Sequence, residues 1–204
     1  MFTLTDAQGV FLVNLARQSI EGVMGLSDEP SDYHGDPILM EKHGVFVTLT
    51  IHSKGNYGLR GCIGLPYATS PLVDAVVEAA RSAAFKDPRF PPVQVHEMAG
   101  LTIEVSVLTP PELLINDKKS LPNRVKVGRD GLIIGIGLNK GLLLPQVPVE
   151  WGWGSREFLD QCCVKAGFPK NSWQSTDVEV YIFQAILFKE EEPRGVISRH
   201  TLVE

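Results

Sequence analysis

The sequence lacks several features that would place it in a common functional class. No run approaches the roughly 18 consecutive apolar residues typical of a membrane-spanning helix. Acidic residues outnumber basic ones, 24 to 19, and the formal charge of -5 offers no bulk attraction to nucleic acid or anionic lipid. The opening residues, MFTLTDAQ, contain no basic segment followed by an apolar one, as a secretion signal would. We therefore expect a cytoplasmic protein that binds neither membranes nor nucleic acid.

Cysteine and histidine are scarce, and their spacing matches no metal site. Of the three cysteines, two are adjacent, Cys162 and Cys163, and the set forms neither a disulfide framework nor a CxxC pair. The five histidines are scattered and form no HExxH motif. The glycines at 135 and 137 lie among short β segments and open no helix, unlike a phosphate-binding loop. The sequence thus predicts no metal, no cofactor and a reducing compartment.

The hydrophobic pattern predicts helices and strands without regular alternation. Helices are indicated by capping residues followed by apolar side chains at helical spacing, and strands by alternating β-branched residues. The predicted helices cover residues 5–22, 70–86 and 155–167, the last capped by Ser155. The predicted strands cover residues 45–52, 59–64, 101–108, 124–127, 132–136, 142–144 and 178–188. Turns are predicted at residues 26–44 and 53–58, and the class is α+β.

The segment LRGCIG, residues 59–64, combines a permanent positive charge with a thiol. On a regular strand Arg60 and Cys62 share a face, about 7 Å apart at Cβ, so an anionic ligand on Arg60 would lie beside the sulfur. The thiolate is the reactive form and needs a cationic neighbour to be abundant at neutral pH. The alternative is structural, because free cysteine is often buried as a small hydrophobe and glycines such as Gly61 mark bends or close approaches. No histidine stands at a recognisable spacing to act as a base.

Other polar residues join this segment only if the fold brings them together. Asp87 and Arg89 follow the second helix and form either a local ion pair or a loop that presents polar groups to a ligand. Glu104 and Ser106 share the polar face of one strand, which is either solvated or, for Glu104, placed for acid–base catalysis. Gln146 is a further candidate from the second half of the chain.

Six short segments, in order, resemble the AMMECR domain family. The resemblance extends from about Leu4 to Phe188. Any one segment alone is weak evidence, but six in sequence order are hard to obtain by chance. The segments are LRGCIG, Asp87–Phe90, Glu104–Leu108, Val127–Leu132, Leu143–Val147 and Lys165–Gly167.

The resemblance implies a two-lobed α+β fold in which LRGCIG faces a cleft between the lobes. The larger lobe would span about residues 1–110 and the smaller, β-rich lobe about 111–190, with strand exchange between them. No known reaction is implied: proposals for the family range from an enzyme to a regulatory or scaffold role. Family members are associated with proteins resembling Memo and radical-SAM enzymes, which suggests a shared pathway.

Two hypotheses follow for the function. In the first, the protein is an enzyme with Cys62 and Glu104 as catalytic residues and an anionic or polar small substrate. The substrate-binding residues would be Arg60, Gly61, Asp87, Arg89, Ser106 and Gln146. In the second, the protein is a non-catalytic adaptor that holds a peptide or small ligand in the same cleft and contacts a protein partner. The sequence does not determine the oligomeric state.

Overall fold

The computed structural model describes residues 2–31, 33–53, 56–67, 69–115 and 118–200. It contains both helices and antiparallel strands, so the predicted α+β class is confirmed. The chain divides into two compact units. The first unit contains Met1–Leu108 and Ile186–His200, and the second contains Thr109–Ala185. Among the described residues, no helix is long and apolar enough to cross a membrane.

The first unit packs two helices against an antiparallel sheet. The elements are α1 (Asp6–Val23), β1 (Val45–Ser53), β2 (Asn56–Leu65), α2 (Leu72–Phe85), β3 (Leu101–Leu108), the end of β7 (Glu179–Glu190) and β8 (Ile197–His200). β1 pairs with both β2 and β3, and the strand order continues from β3 to β7. β8 pairs with the last residues of β7.

Local signals explain where α1 begins and ends. The Thr5 hydroxyl accepts a hydrogen bond from the Gln8 N–H, and the Gln8 side chain accepts one from the Thr5 N–H, which forms the predicted capping box. After Val23 the chain leaves the helix, and Gly25 adopts a left-handed conformation with a φ of 71°. The start and end of this helix are therefore encoded within a few residues of sequence.

Alternation along the strands divides the sheet of the first unit into an apolar and a polar face. The apolar side chains are fully buried and belong to the same core as the apolar faces of α1 and α2. They include Val45, Val47, Leu49, Ile103, Val105 and Val107. The opposite face carries Thr48, Glu104 and Ser106, as the alternation predicted for β3.

The second unit has a core of its own. Phe158, Leu159 and Trp173 are buried in this core. The elements are β4 (Glu112–Leu113), α3 (Leu121–Arg124), β5 (Asp130–Ile136), β6 (Asn139–Leu143), α4 (Gln146–Glu150), α5 (Ser155–Lys165) and the start of β7. β5 pairs antiparallel with β6 and with the first half of β7, and β4 pairs with β7.

Two sequence-based predictions need correction, and the strand β8 was not predicted. The strand predicted at residues 124–127 is wrong, because Leu121–Arg124 form a short helix. Pro122 lies in the first turn of this helix, where its fixed φ is helical and where a backbone N–H would have no partner within the helix. Ser155 does not cap α5, since Gly154 precedes the helix and the Ser155 hydroxyl donates to the Val125 carbonyl. β8 was not predicted, because its polar residues acquire a strand conformation through pairing with β7.

The hairpin that carries LRGCIG is confirmed. β1 extends to Ser53 and β2 begins at Asn56, so the loop is shorter than the predicted turn at 53–58. Residues 54 and 55 of that turn lie outside the described residues. The pairing register of this hairpin determines which side chains lie beside Cys62.

Candidate functional site

Arg60 interrupts the regular pairing of β2 with β1. Its two neighbours along β2 pair with consecutive residues of β1, Leu49 and Thr50, so Arg60 is the extra residue of a β-bulge. The bulge removes the regular alternation from which a shared face for Arg60 and Cys62 was predicted. The arginine side chain therefore has to be located from its own contacts.

The Arg60 guanidinium binds groups of the protein itself. Its Nε and Nη2 atoms donate to the two carboxylate oxygens of Glu97 at 2.7 and 2.9 Å, and Nη1 donates to the Pro91 carbonyl at 2.9 Å. Only 9% of the residue is exposed. The hydrogen bond from Arg60 is the main cause of a lowered pKa at Glu97. This bidentate pair ties β2 to the 3-10 turn Val95–Gly100.

The side chains of Asp87 and Arg89 bind the backbone of Cys62. The Cys62 N–H donates to Asp87 Oδ2 at 2.8 Å, and Arg89 Nη2 donates to the Cys62 carbonyl at 3.1 Å. Arg89 also donates from Nε and Nη2 to the Asp87 carboxylate at 3.0 and 2.7 Å. Within the described residues β2 is an edge strand. The pair thus supplies the donor and acceptor that a neighbouring strand would otherwise provide.

Charge complementarity stabilises this pair. The hydrogen bond from Arg89 holds the pKa of Asp87 well below its usual range, and the Cys62 and Arg89 N–H groups act in the same direction. The pKa of Arg89 is raised, mainly by Asp87 and to a smaller extent by Cys62. Asp87 is only 4% exposed, whereas about half of the Arg89 side chain is in contact with solvent. Arg89 is therefore an accessible cation beside Cys62.

We predict that Asp87→Asn lowers the free energy of unfolding by about 1–3 kcal/mol at neutral pH, because the Cys62 N–H and the Arg89 guanidinium lose a charged acceptor that is itself buried. The folded pKa of Asp87 lies below the unfolded value of about 3.9. Its stabilising contribution is therefore complete above that value and is lost as the pH falls through the folded pKa. Urea midpoints of wild type and variant should converge as the pH falls below about 4.

Asp28→Asn serves as the control for this prediction, because Asp28 is an exposed carboxylate. Its urea midpoint should follow that of the wild type at every pH. A constant difference between Asp87→Asn and the wild type across the whole pH series would contradict the charge-based explanation.

Both glycines of LRGCIG are closely packed. A Cβ atom at Gly61 would overlap the backbone carbonyl oxygen of Ala83 in α2. A Cβ atom at Gly64 would overlap the ring of Phe46, its cross-strand partner. These contacts support the structural alternative for the two glycines. The absence of a side chain at Gly61 allows β2 to approach α2 closely. The role of Gly61 as a substrate-binding residue stays a prediction.

The polar face of the sheet brings together three of the predicted site residues. Thr48 lies directly opposite Cys62 on one side and Glu104 on the other. The Thr48 hydroxyl donates to Cys62 Sγ at 3.4 Å, and the Ser106 hydroxyl donates to Glu104 Oε1 at 3.2 Å. Cys62, Thr48 and Glu104 are half-buried, and Ser106 is buried. We call this set of Cys62, Thr48, Glu104 and Ser106 the Cys62 face.

Gln146 belongs to the second unit, where it is the first residue of α4. Its Oε1 atom is buried and has no hydrogen-bond partner among the described residues. Its inclusion in the site stays a prediction.

Sequence reasoning missed Thr48 and Glu97. Thr48 had a detectable signal, because the predicted hairpin register places the polar face of β1 opposite Cys62. No sequence signal pointed to Glu97, because it lies 37 residues from Arg60 along the chain, in a short 3-10 turn. In the described part of the chain, no group of three or more His, Cys, Asp or Glu side chains is placed to hold a metal ion.

The two other cysteines have a different environment. Cys162 and Cys163 are fully buried in the core of the second unit. Burial raises the pKa of Cys162 to about 12, and it also raises the pKa of Cys163. The Cys162 thiol donates to the Gly141 carbonyl, with Sγ and oxygen 3.4 Å apart. These thiols are packed against the protein and serve as internal references for Cys62.

These observations define an α+β protein whose first unit carries a half-buried thiol on the polar face of an antiparallel sheet. The chain belongs to the AMMECR1 family, whose model matches residues 13–188, and the predicted resemblance is confirmed. It is 51% identical to a protein of Thermococcus onnurineus and to Protein TK0174 of Thermococcus kodakarensis, with both alignments covering 100% of each chain. The crystal structure of the uncharacterized protein PH0010 from Pyrococcus horikoshii is similar, with a TM-score of 0.87 and 50% identity. That match covers 98% of this chain and 100% of the other.

Proposed function

We propose that this protein binds a polar small molecule or peptide on the Cys62 face, with the thiol in contact with the ligand. The observation that carries the proposal is the row formed by Cys62, Thr48 and Glu104 across three neighbouring strands. Half-buried polar groups on a rigid sheet can orient a ligand at low entropic cost. The ligand would belong to a cytoplasmic pathway shared with proteins resembling Memo and radical-SAM enzymes, as the family resemblance implies.

The predicted site residues have separate roles in this proposal. Arg60 is a positioning residue, because Glu97 and Pro91 occupy its guanidinium. Asp87 holds the Cys62 backbone and is itself nearly inaccessible. Arg89 is the cation that can reach an anionic or polar group of the ligand, since Nη1 makes no hydrogen bond to the described residues and the side chain is half-exposed.

A second candidate function is an enzyme with Cys62 as its nucleophile. Two contacts favour it: the Thr48 hydroxyl donates to Cys62 Sγ, and Arg89 Nη2 donates to the Cys62 carbonyl, which places a cation beside this residue. Both would stabilise negative charge on sulfur. In this case the Cys62 thiolate, its proton lost to water, would add to a substrate carbonyl carbon, and the π electrons of that carbonyl would move to its oxygen. Glu104, two strands from Cys62, stays a predicted acid–base residue for a later proton transfer.

Alkylation by iodoacetamide, followed by mass spectrometry of the folded protein, distinguishes the two functions. We expect Cys62 to react at least about tenfold faster than Cys162 or Cys163, because only Cys62 is half-exposed. For a ligand-contacting thiol, the rate should rise about tenfold per pH unit from pH 6 to pH 8. A rate that is already constant below pH 7 would favour the enzyme.

Thr48→Val tests the hydroxyl contact at nearly constant side-chain shape. A nucleophile that depends on this donor should lose several-fold in alkylation rate near pH 6, whereas a ligand-contacting thiol should change little. If Cys62 in the wild type is as inert as Cys162, both candidate functions are contradicted.

A further inference from the structure

The second unit contains a cavity of about 570 Å³ whose lining residues all belong to that unit. Its size lies within the range of small-molecule sites. Leu113, Leu114 and Val178 contribute apolar walls, and Lys118 and Lys119 contribute positive charge. This cavity shares no residue with the Cys62 face.

Lys118 is a lining cation for which the described residues provide no ion pair. It is half-buried, and its Nζ atom donates one hydrogen bond, to the Val178 carbonyl at 2.5 Å. Burial lowers the pKa of Lys118. Among the described residues, no carboxylate forms an ion pair with it, and an ammonium group carries three donors. A partly dehydrated cation of this kind gains stability from an anion that reaches it.

The acidic group that lines the cavity is already engaged. Glu179 contributes to the lining, but its carboxylate pairs with Lys140, with Nζ and Oε2 3.5 Å apart. Its charge still favours the protonated form of Lys118. A nearby carboxylate also disfavours a ligand with two negative charges, such as a phosphate monoester. The described lining residues carry two positive charges, Lys118 and Lys119, and one negative charge, Glu179, and this excess of one positive charge suits a ligand with a single negative charge.

We propose that this cavity binds a small carboxylate with an apolar body. The carboxylate accepts hydrogen bonds from the Lys118 ammonium, and the apolar body packs against Leu113, Leu114 and Val178. Ile115, which is 66% exposed, continues the apolar wall to the surface and can contact the far end of a longer chain. The proposal rests on the second unit alone and does not depend on the function of the Cys62 face.

Isothermal titration calorimetry with monomeric decanoate and with decanol tests the proposal on the wild-type protein. The two ligands share the apolar chain and differ in charge. We expect decanoate to bind at least about tenfold more tightly, because only its head group forms a charge-assisted hydrogen bond with Lys118. Equal affinities, or no binding of decanoate, would overturn the proposal. Tighter binding of an acidic hexapeptide would also overturn it, since the occupant would then be a peptide.

Lys118→Gln should remove the preference for decanoate, while its amide can still donate to the Val178 carbonyl. The matched control is Lys126→Gln, an exposed lysine that does not line the cavity. It should keep the preference, and an equal loss in both variants would mean that only the general charge of this region matters. Circular dichroism checks that Lys118→Gln is folded.

Cys62→Ser should bind decanoate like the wild type, which separates this proposal from the function of the Cys62 face.

Discussion

Gly61→Ala is expected to destabilise the first unit by about 3 kcal/mol, at the upper end of the cost of overpacking a core. The added methyl group would overlap the carbonyl oxygen of Ala83, which is part of the α2 backbone and cannot rotate away. The helix would have to move away from β2. Alanine restricts the unfolded chain more than glycine does, but that gain of about 0.4–1 kcal/mol is too small to offset the overlap.

Urea unfolding followed by two probes measures this loss and locates it. Far-UV circular dichroism reports on both units, whereas all three tryptophans, Trp151, Trp153 and Trp173, belong to the second unit. We expect Gly61→Ala to shift the dichroism transition to lower urea concentration. A shift of the tryptophan signal to the same extent would show that the two units unfold together.

Gly58→Ala is the matched control in the same strand. A Cβ atom at Gly58 would meet no atom of the described residues within 4 Å, so this variant should remain within about 0.5 kcal/mol of the wild type. If Gly61→Ala is as stable as Gly58→Ala, close packing of β2 on α2 does not explain the glycine.

Glu190→Gln is expected to cost about 3 kcal/mol, because it leaves the buried guanidinium of Arg17 without its main counter-ion. Arg17 donates from Nε and Nη2 to the two Glu190 carboxylate oxygens at 2.6 and 2.5 Å. The Ile103 N–H donates to the same carboxylate at 3.0 Å. Arg17 is 6% exposed and Glu190 is 3% exposed. Glu21 Oε1 lies 3.4 Å from Arg17 Nη1 and remains as a second counter-ion. The expected loss of unfolding free energy is therefore at the lower end of the range for a broken buried pair.

A double-mutant cycle separates the cost of an unpaired charge from the value of the pair. Arg17→Met combined with Glu190→Leu removes both charges, so the double variant should be less destabilised than the sum of the two single variants. Glu192→Gln, an exposed position two residues further along the chain, should have little effect. Strictly additive losses in the cycle would contradict a coupled buried pair. Urea unfolding measures all four free energies.

Local sequence signals predicted most elements of the first unit. The capping box at Thr5 and the alternation of Leu101–Leu108 depend on neighbouring residues, so they can be recognised without a fold. The prediction failed at residues 124–127, where no strand forms and where Leu121–Arg124, with Pro122 in the first turn, form a short helix. It also missed β8, whose conformation depends on its pairing with β7.

For the candidate site, the residue types of LRGCIG, the polar face of β3 and, through six ordered segments, the family could be read from the amino-acid sequence. The fold was needed to show that Glu97 binds Arg60 and that Asp87 and Arg89 hold the backbone of Cys62. The difference arises from the range of the interactions. Periodicity reports which face of a strand is apolar, whereas partners 25 to 37 residues apart are selected by how helices, loops and strands pack.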